Sequence, residues 1–181
     1  MIAVGYMLKK VCSKPHWISA SGVTDIYSVS GCTSEHFADY TNHWRHNGYW
    51  LFNRPADMDE IADKVGVDRS ALTLFYYEVY EQQFDECEEV WSEFEPEPSF
   101  ATQVEKPKRS RLQGFDVVSF STGAMAECSP LSCNSAANDI KTNQHCLVET
   151  FEDAKAALET GRFHNCEPGP YRIFAVYTVE D

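Results

Sequence analysis

Two short segments of this 181-residue chain are largely apolar at successive positions, and this pattern restricts the fold more than any other. Residues 72–77 read LTLFYY and residues 171–176 read YRIFAV. A strand with apolar side chains on both faces needs cover on both sides, which is typical of a central strand. We therefore predict that both segments are central strands of a sheet with helices packed on its faces.

The regions that end in these strands resemble each other. Residues 22–31 read GVTDIYSVSG and residues 114–123 read GFDVVSFSTG, and a separation of 96 then relates Asn47 to Asn143 and residues 49–52 to residues 145–148. Helical spacing follows in both regions, and each helix is expected to end at a glycine, Gly66 or Gly161. The sequence therefore predicts two internally repeated β-α-β-α-β halves.

The predicted class is α+β, a mixed β-sheet with helices on its faces, and the two halves form one compact unit. Residues 1–21 are assigned to an N-terminal strand and lead-in, and residues 22–95 to the first half. Residues 96–113 are a Pro-rich and basic linker, and residues 114–181 are the second half. The first helix of each half is expected over Phe37, Tyr40 and Trp44, and over residues 135–141.

The formal net charge of −13 argues against a nucleic-acid binder and against an anionic membrane surface. There is no apolar run of about 18 residues, so no transmembrane helix is predicted. The N-terminal segment lacks a signal-peptide pattern, so a cytoplasmic location is predicted. A basic protein partner fits the charge, and the oligomeric state is left open.

Many of the acidic residues lie in one segment, residues 81–95, which we predict to be a hairpin. The leading functional hypothesis is a binding or inhibitor module, of the immunity-protein kind, that docks a basic protein through this hairpin. Its alternative is a solvated edge that discourages pairing between sheets. The partner-binding candidates are Glu86, Glu88, Glu89, Trp91, Glu93, Phe94 and Glu95.

The seven cysteines are irregularly spaced, which favours reduced thiols over a disulfide framework. Cys32 and Cys128 each follow a predicted strand, so the two thiols could face one cleft between the halves. The second hypothesis is therefore a cysteine-dependent enzyme or small-ligand binder that uses Cys32, Cys128 or Cys133 with His145 as base. The alternative is that these cysteines are buried packing residues.

A third hypothesis is a structural zinc protein with the ligands Cys128, Cys133, Cys146 and Cys166. The C-x4-C spacing suits zinc, but the second pair lacks a tight spacing, so no cofactor is predicted and zinc stays an alternative. His36, His43 and His46 offer another metal set, although an amphipathic helix explains their spacing as well.

The sequence lacks the signatures of several common enzyme classes. It has no P-loop, no dinucleotide-binding G-x-G-x-x-G after a strand, no G-x-S-x-G elbow and no H-E-x-x-H. The missing signatures argue against common nucleotide-dependent and hydrolytic enzymes, and the sequence favours a binding protein over an enzyme.

Overall fold

The computed structural model describes residues 1–41, 47–95, 101–120 and 127–180. One sheet holds seven strands, which are β1 Ile2–Lys10, β4 Glu35–His36, β5 Thr73–Val79, β6 Gln82–Asp85, β7 Val90–Glu93, β8 Ser110–Ser119 and β9 Tyr171–Val179. Two short strands pair separately, β2 Cys12–Ser13 and β3 Asp25–Ile26. The helices are α1 Phe37–Thr41, α2 Pro55–Val65, α3 Pro130–Cys133 and α4 Phe151–Glu159, with a 3-10 turn at Ala136–Asn138.

The main sheet has the order β4-β1-β5-β9-β8, and the β6–β7 hairpin joins β9 where Phe84 pairs with Tyr171. This confirms the α+β class. Every strand pair in the described residues is antiparallel, so the parallel pairs of a mixed sheet are not formed there. The connection between β1 and β5 explains this for the first pair. Phe52 bridges back to β1, α2 follows, and β5 then begins with Thr73 opposite Lys9, near the end of β1, so the two strands run in opposite directions.

The two central strands are β5 and β9, as their apolar pattern predicts. They pair with each other, and β1 and β8 flank them on the outside. Phe75 to Val79 and Tyr171 to Val176 are buried at every position, on both faces of the sheet. Burial of this kind contributes roughly 1.5–3 kcal/mol for each large apolar side chain.

The longer helices, α2 and α4, begin and end close to the positions that the sequence predicts. α2 buries Met58 and Ala62, one turn apart, and Gly66 ends it with a φ of 75°. The hydroxyl of Thr150 caps α4 by accepting a hydrogen bond from the backbone N–H of Asp153 at 3.1 Å. None of the helices in the described residues is long and apolar enough to cross a membrane.

Several predicted boundaries differ from those observed. The helix expected over residues 135–141 is only the 3-10 turn Ala136–Asn138, because the small, polar sequence there offers no apolar face to bury. The helix expected over Phe37, Tyr40 and Trp44 includes α1, and Trp44 lies outside the described residues. β8 begins at Ser110, so the last residues of the expected linker belong to a strand.

A glycine in β1 allows a close approach between the strand and the loop before α2. Gly5 has a φ of 139°, and the next residue, Tyr6, exchanges two backbone hydrogen bonds with Phe52, of 2.8 and 3.0 Å. The side-chain amide of Asn47 donates to the carbonyl oxygen of residue 4 at 2.7 Å. Trp50, which lies between Asn47 and Phe52 in the loop, has a φ of 59°. Together these contacts fix the loop against the edge of β1.

The same set of contacts occurs around β8. Gly114 has a φ of 144°, and Phe115 exchanges two backbone hydrogen bonds with Val148, of 2.8 and 2.9 Å. Asn143 donates to the carbonyl oxygen of residue 113 at 2.6 Å, and Cys146 has a φ of 61°. The separation of 96 between these loops therefore corresponds to a shared local geometry.

This local correspondence relates β1 to β8, whereas the sequence comparison related residues 22–31 to residues 114–123. Residues 22–31 contribute only the two-residue β3 and then bend into a loop, because their backbone groups bond to buried side chains rather than to a neighbouring strand. The repeat of the two whole halves stays a prediction, which superposition of experimental coordinates for each half would test.

We expect Gly114→Ala to lower the free energy of unfolding by about 2–4 kcal/mol, because positive-φ strain adds to forced repacking. A Cβ at this position would lie 2.8 Å from Leu147 Cβ and 2.8 Å from the Val148 carbonyl oxygen. Gly22→Ala is the matched control, since a Cβ there meets nothing within 4 Å. Urea unfolding measures both variants, and equal stabilities would contradict the expectation.

Candidate functional site

Two loops from different halves of the chain meet beside the sheet, and together they carry three cysteines. Residues 28–34 connect β3 to β4, and residues 127–134 follow β8 and include α3. The backbone N–H of Ser30 donates to the Ser129 hydroxyl at 3.2 Å, and the hydroxyls of Thr33 and Ser132 are 2.8 Å apart. The two loops are therefore joined by polar contacts before and after Cys32 in one loop and between Cys128 and Cys133 in the other.

The three sulfur atoms lie within 4.8 Å of one another. Cys128 and Cys133 form a disulfide, with a Cα–Cα distance of 6.5 Å. Cys32 is a free, exposed thiol that donates to the carbonyl oxygen of Glu127 at 2.9 Å. Cys128 is buried and Cys133 half-buried, so solvent reaches the cluster mainly from the side of Cys32 and Cys133.

The disulfide corrects the prediction that all seven cysteines are reduced. The prediction relied on irregular spacing, and spacing does not exclude a single bridge over a five-residue separation. α3 and its flanking residues bring the two Cα atoms into the usual range for a disulfide. Five cysteines remain free in the structure, which are Cys12, Cys32, Cys87, Cys146 and Cys166.

A fully buried lysine supports the loop that carries Cys32. The ammonium of Lys9, at the end of β1, donates to the carbonyl oxygens of Ser28, Val29 at 3.1 Å and Ser30 at 2.7 Å. His36 also bonds to the Val29 carbonyl, at 2.8 Å from its Nε2. All three donor positions of the ammonium are used, so the loop wraps around a single charge.

A buried carboxylate in β8 holds both loops at once. Asp116 Oδ2 accepts hydrogen bonds from the backbone N–H of Val29 at 2.7 Å and from the hydroxyl of Ser129 at 2.6 Å. Asp116 is 1% exposed and Lys9 is 0% exposed. Each group is costly to bury as an ion unless its charge is met by hydrogen bonds and an opposite charge.

Burial shifts the pKa of both charged groups. Loss of solvent raises the pKa of Asp116 to about 6, although the hydrogen bonds from Ser129 and Val29 and the Lys9 ammonium act in the opposite direction. Loss of solvent lowers the pKa of Lys9 to about 7, against the attraction of the Asp116 and Asp39 carboxylates and the Cys32 sulfur. The charges of Lys9 and Asp116, which hold the two loops, therefore change with pH near neutrality.

Three side-chain oxygens near these two buried charges have no hydrogen-bond partner among the described residues. They are Ser30 Oγ, Tyr77 Oη and Asp116 Oδ1, all buried. Burial raises the pKa of the Tyr77 phenol well above its usual value, and the negative charge of Asp116 adds to this effect. Native proteins rarely leave such groups unpaired.

The arrangement suits sulfur chemistry in two oxidation states. In the oxidised state a free thiol lies within 4.8 Å of both sulfurs of a disulfide, and thiol–disulfide exchange needs the attacking sulfur close to the bridge. In the reduced state three thiols would stand together, which is the geometry of a soft-metal site.

The structure places His145 away from these sulfurs in its hydrogen bonding. Its Nδ1 is 2.6 Å from Asp25 Oδ1, its Nε2 is 3.1 Å from the Gln144 side chain, and its ring stacks on Tyr27. No described contact joins it to a cysteine, so the proposed pairing of His145 with Cys128 or Cys133 gains no support. His43 and His46 lie outside the described residues.

The four cysteines of the zinc hypothesis do not form one group. Within the described residues the only cluster of potential ligands combines Cys128 and Cys133 with Cys32. Cys146 is buried in the apolar core, and burial raises the pKa of its thiol to about 12. Cys166 packs against the same core and has a raised pKa, from burial and from the charge of Glu86.

The predicted acidic hairpin is formed by β6 and β7. Glu88 and Glu89 are exposed in its turn, and Glu86 bonds to the backbone N–H of Gly169 at 3.0 Å. Glu93 ends β7 and is exposed, as is Glu95 beyond it.

The two aromatic residues proposed as partner anchors, Trp91 and Phe94, pack against other parts of the fold. Trp91 contacts Tyr80 and Phe84, and its indole N–H donates to Glu159 at 2.8 Å. Phe94 covers the buried guanidinium of Arg172. Neither side chain is a free anchor, so partner binding by this surface stays a prediction that depends on the carboxylates.

Sequence reasoning missed Lys9 and Asp116, although each stands out in its strand. Lys9 follows the apolar run of β1, and Asp116 interrupts the largely apolar stretch GFDVVSF. A charge at an inward position of a buried strand is itself a signal of a paired or functional group.

Comparison with known proteins adds no assignment, because no protein-family model, no curated protein and no solved structure matches this chain.

We expect Asp116→Asn to change how stability depends on pH. The folded-state pKa is raised, so the carboxyl group stabilises the fold fully below pH 3.8 and this contribution is lost as pH rises through about 6. The stability of the wild type relative to the variant should fall by about 2–3 kcal/mol from pH 4 to pH 6. Urea unfolding across this range measures it. The exposed control Asp139→Asn should show no such trend, and a pH-independent difference for Asp116→Asn would contradict the assignment.

Proposed function

We propose that this protein carries out thiol–disulfide exchange at Cys32, Cys128 and Cys133. One observation supports the proposal above the others, namely that an exposed free thiol lies within 4.8 Å of both sulfurs of a disulfide. This develops the cysteine-dependent hypothesis from the sequence, with a sulfur partner in place of His145. In a reducing compartment, where the chain is predicted to reside, disulfides are typically catalytic or redox-sensing.

The reaction that we propose balances with a dithiol as substrate. A substrate thiolate attacks the sulfur of the half-buried Cys133, a mixed disulfide forms, and Cys128 leaves as a thiolate that takes up a proton. The second substrate thiol then displaces Cys133. The substrate becomes a disulfide, and the protein gains two electrons and two protons as two thiols.

Cys32 gives this site a third sulfur that an ordinary two-cysteine site lacks. Its thiolate can attack Cys128 or Cys133, so that a new disulfide forms as the old one breaks, with no external oxidant. It can also attack Cys133 in a stalled mixed disulfide and release the substrate thiol. The polar contacts between the loops keep the reacting sulfurs close, which raises their effective concentration.

We expect non-reducing peptide mapping of the native protein, equilibrated at pH 8, to show Cys128–Cys133 and at least one disulfide that contains Cys32. Cys32→Ser should remove that isomer and slow the release of a glutathione mixed disulfide at least tenfold. Cys87→Ser, which changes an exposed thiol outside the cluster, is the matched control. Resistance of Cys128–Cys133 to exchange until the chain unfolds would contradict the proposal.

We propose, as a second candidate, that the hairpin turn binds a basic protein. The supporting observation is a groove of about 320 Å³ between the hairpin and α4, which Glu86 and Glu89 line. Exposed carboxylates around a groove favour a cationic partner through long-range attraction. This candidate ranks second because Trp91 and Phe94 are used within the fold.

We expect a pull-down from host-cell lysate to retain a basic protein at low salt and release it at moderate salt, because screening weakens charge pairing. Glu88→Lys with Glu89→Lys should abolish retention. The control reverses two exposed carboxylates outside the hairpin and α4, Glu60→Lys with Glu105→Lys. Equal loss with the control pair would indicate net charge rather than a hairpin site.

A further inference from the structure

The free thiol and the disulfide together contain three sulfur ligands for a metal ion. Cys32, Cys128 and Cys133 come from two loops that meet in space. In the chain, Cys32 is 96 residues from Cys128 and 101 residues from Cys133. Each sulfur is within 4.8 Å of the other two. In the part of the chain that the structure describes, no other group of three or more His, Cys, Asp or Glu ligand atoms is this close.

We infer that the reduced protein binds one soft divalent cation, with Zn²⁺ as the model ion, through Cys32, Cys128 and Cys133. Tetrahedral Zn–S bonds of about 2.3 Å place sulfurs about 3.8 Å apart. Cys32 already lies within 4.8 Å of both other sulfurs, and the Cys128 and Cys133 sulfurs, bonded in the oxidised protein, separate by about 1.7 Å when the reduced protein takes up the ion. Thiolates prefer soft cations over Mg²⁺ or Ca²⁺, which sets the chemical class. The inference rests on the reducibility of Cys128–Cys133, which the proposed function also requires.

One side-chain amide oxygen lies next to the three sulfurs. Asn134 Oδ1 is 3.4 Å from Cys128 Sγ, and it already accepts a hydrogen bond from the backbone N–H of Glu167 at 2.9 Å. An amide oxygen has two lone pairs, so it retains one for a cation. Three thiolates leave a fourth position, which a water molecule fills in the open coordination of catalytic zinc and which this oxygen would close.

The charge around the cluster suits a bound cation. Three thiolates and one Zn²⁺ carry a net charge of −1, and the ammonium of Lys9 lies close enough to Cys32 for their charges to interact. The chain as a whole carries a formal charge of −13, which attracts cations to its surface. Exposure of Cys32 gives the ion a route to the sulfurs.

Metal binding and the disulfide exclude each other. A dithiol reductant delivers two electrons and two protons to Cys128–Cys133 and is itself oxidised to a disulfide. The cation then displaces the protons of the three thiols. Oxidation by a disulfide reverses both steps, so the ion is released when Cys128 and Cys133 pair again.

The test uses the full chain in three steps. Alkylation with mass spectrometry first counts thiols before and after a dithiol, and two additional thiols are expected at Cys128 and Cys133. The reductant is then removed without air, and Cd²⁺ and Zn²⁺ are titrated. We expect one ion per chain, ultraviolet absorbance from cadmium–thiolate bonds, and no binding of comparable affinity by the oxidised protein.

Variants separate this site from adventitious thiols. Cys32→Ser should weaken binding by more than about 100-fold, because even changes outside the first ligand shell typically cost 10–100-fold. Cys87→Ser and Cys12→Ser, which change free cysteines outside the cluster, should bind like the wild type.

The outcomes distinguish the two proposals. If the dithiol yields no additional thiols in the native protein, both the exchange function and the metal site are overturned. If two thiols appear but the ion does not bind, or Cys32→Ser binds it equally well, only the metal site is overturned. Equal affinity of the oxidised protein would overturn it too.

Discussion

The carboxylate of Asp116 accepts hydrogen bonds from the backbone N–H of Val29 and the hydroxyl of Ser129, and these bonds join the loops of the two halves. Ser129 also accepts from Ser30, so one hydroxyl serves both loops. The carboxylate is buried, and its charge is met by these donors and by Lys9. Removing one partner from a buried charged set typically costs about 3–5 kcal/mol, so the loop geometry depends on this interaction.

The chemistry of the cysteine cluster follows from that geometry. Sulfur atoms react or share a metal only when they are held within a few ångströms, and a displacement of about 1 Å at a reacting centre can cost about 100-fold in rate. Cys32 lies close to Cys128 and Cys133 because two hydrogen bonds fix the loop at residues 28–34. The Lys9 ammonium donates to the Ser30 carbonyl oxygen, and the Ser30 N–H donates to the Ser129 hydroxyl. Cys32 is exposed and Cys133 half-buried, while the groups that position their loops are buried.

The sequence was sufficient to predict features that depend on local patterns. The apolar pattern of residues 72–77 and 171–176 predicted two central strands, and the spacing of Met58, Ala62 and Gly66 predicted α2 and its end. Contacts between distant residues have no such pattern. Cys32 and Cys133 are far apart in the chain, and only the pairing of β1, β5, β9 and β8 brings their loops together. The strand predicted within residues 22–31 is only two residues long for the same reason, because a strand-like composition does not reveal that the backbone after it bonds to a buried lysine.

The correspondence between Gly5 and Gly114 explains why the buried charges occur as they do. Counting from the two glycines, Met7 in β1 corresponds to Asp116 in β8, and Lys9 corresponds to Val118. The matching backbone positions therefore carry a cation in β1 and an anion in β8, and the position aligned with each charge is apolar. Burying the ammonium or the carboxylate without its opposite charge would cost several kcal/mol. The electrostatics thus favour the folding of β1 and β8 together, and the loops that carry the three cysteines bond directly to Lys9 and Asp116.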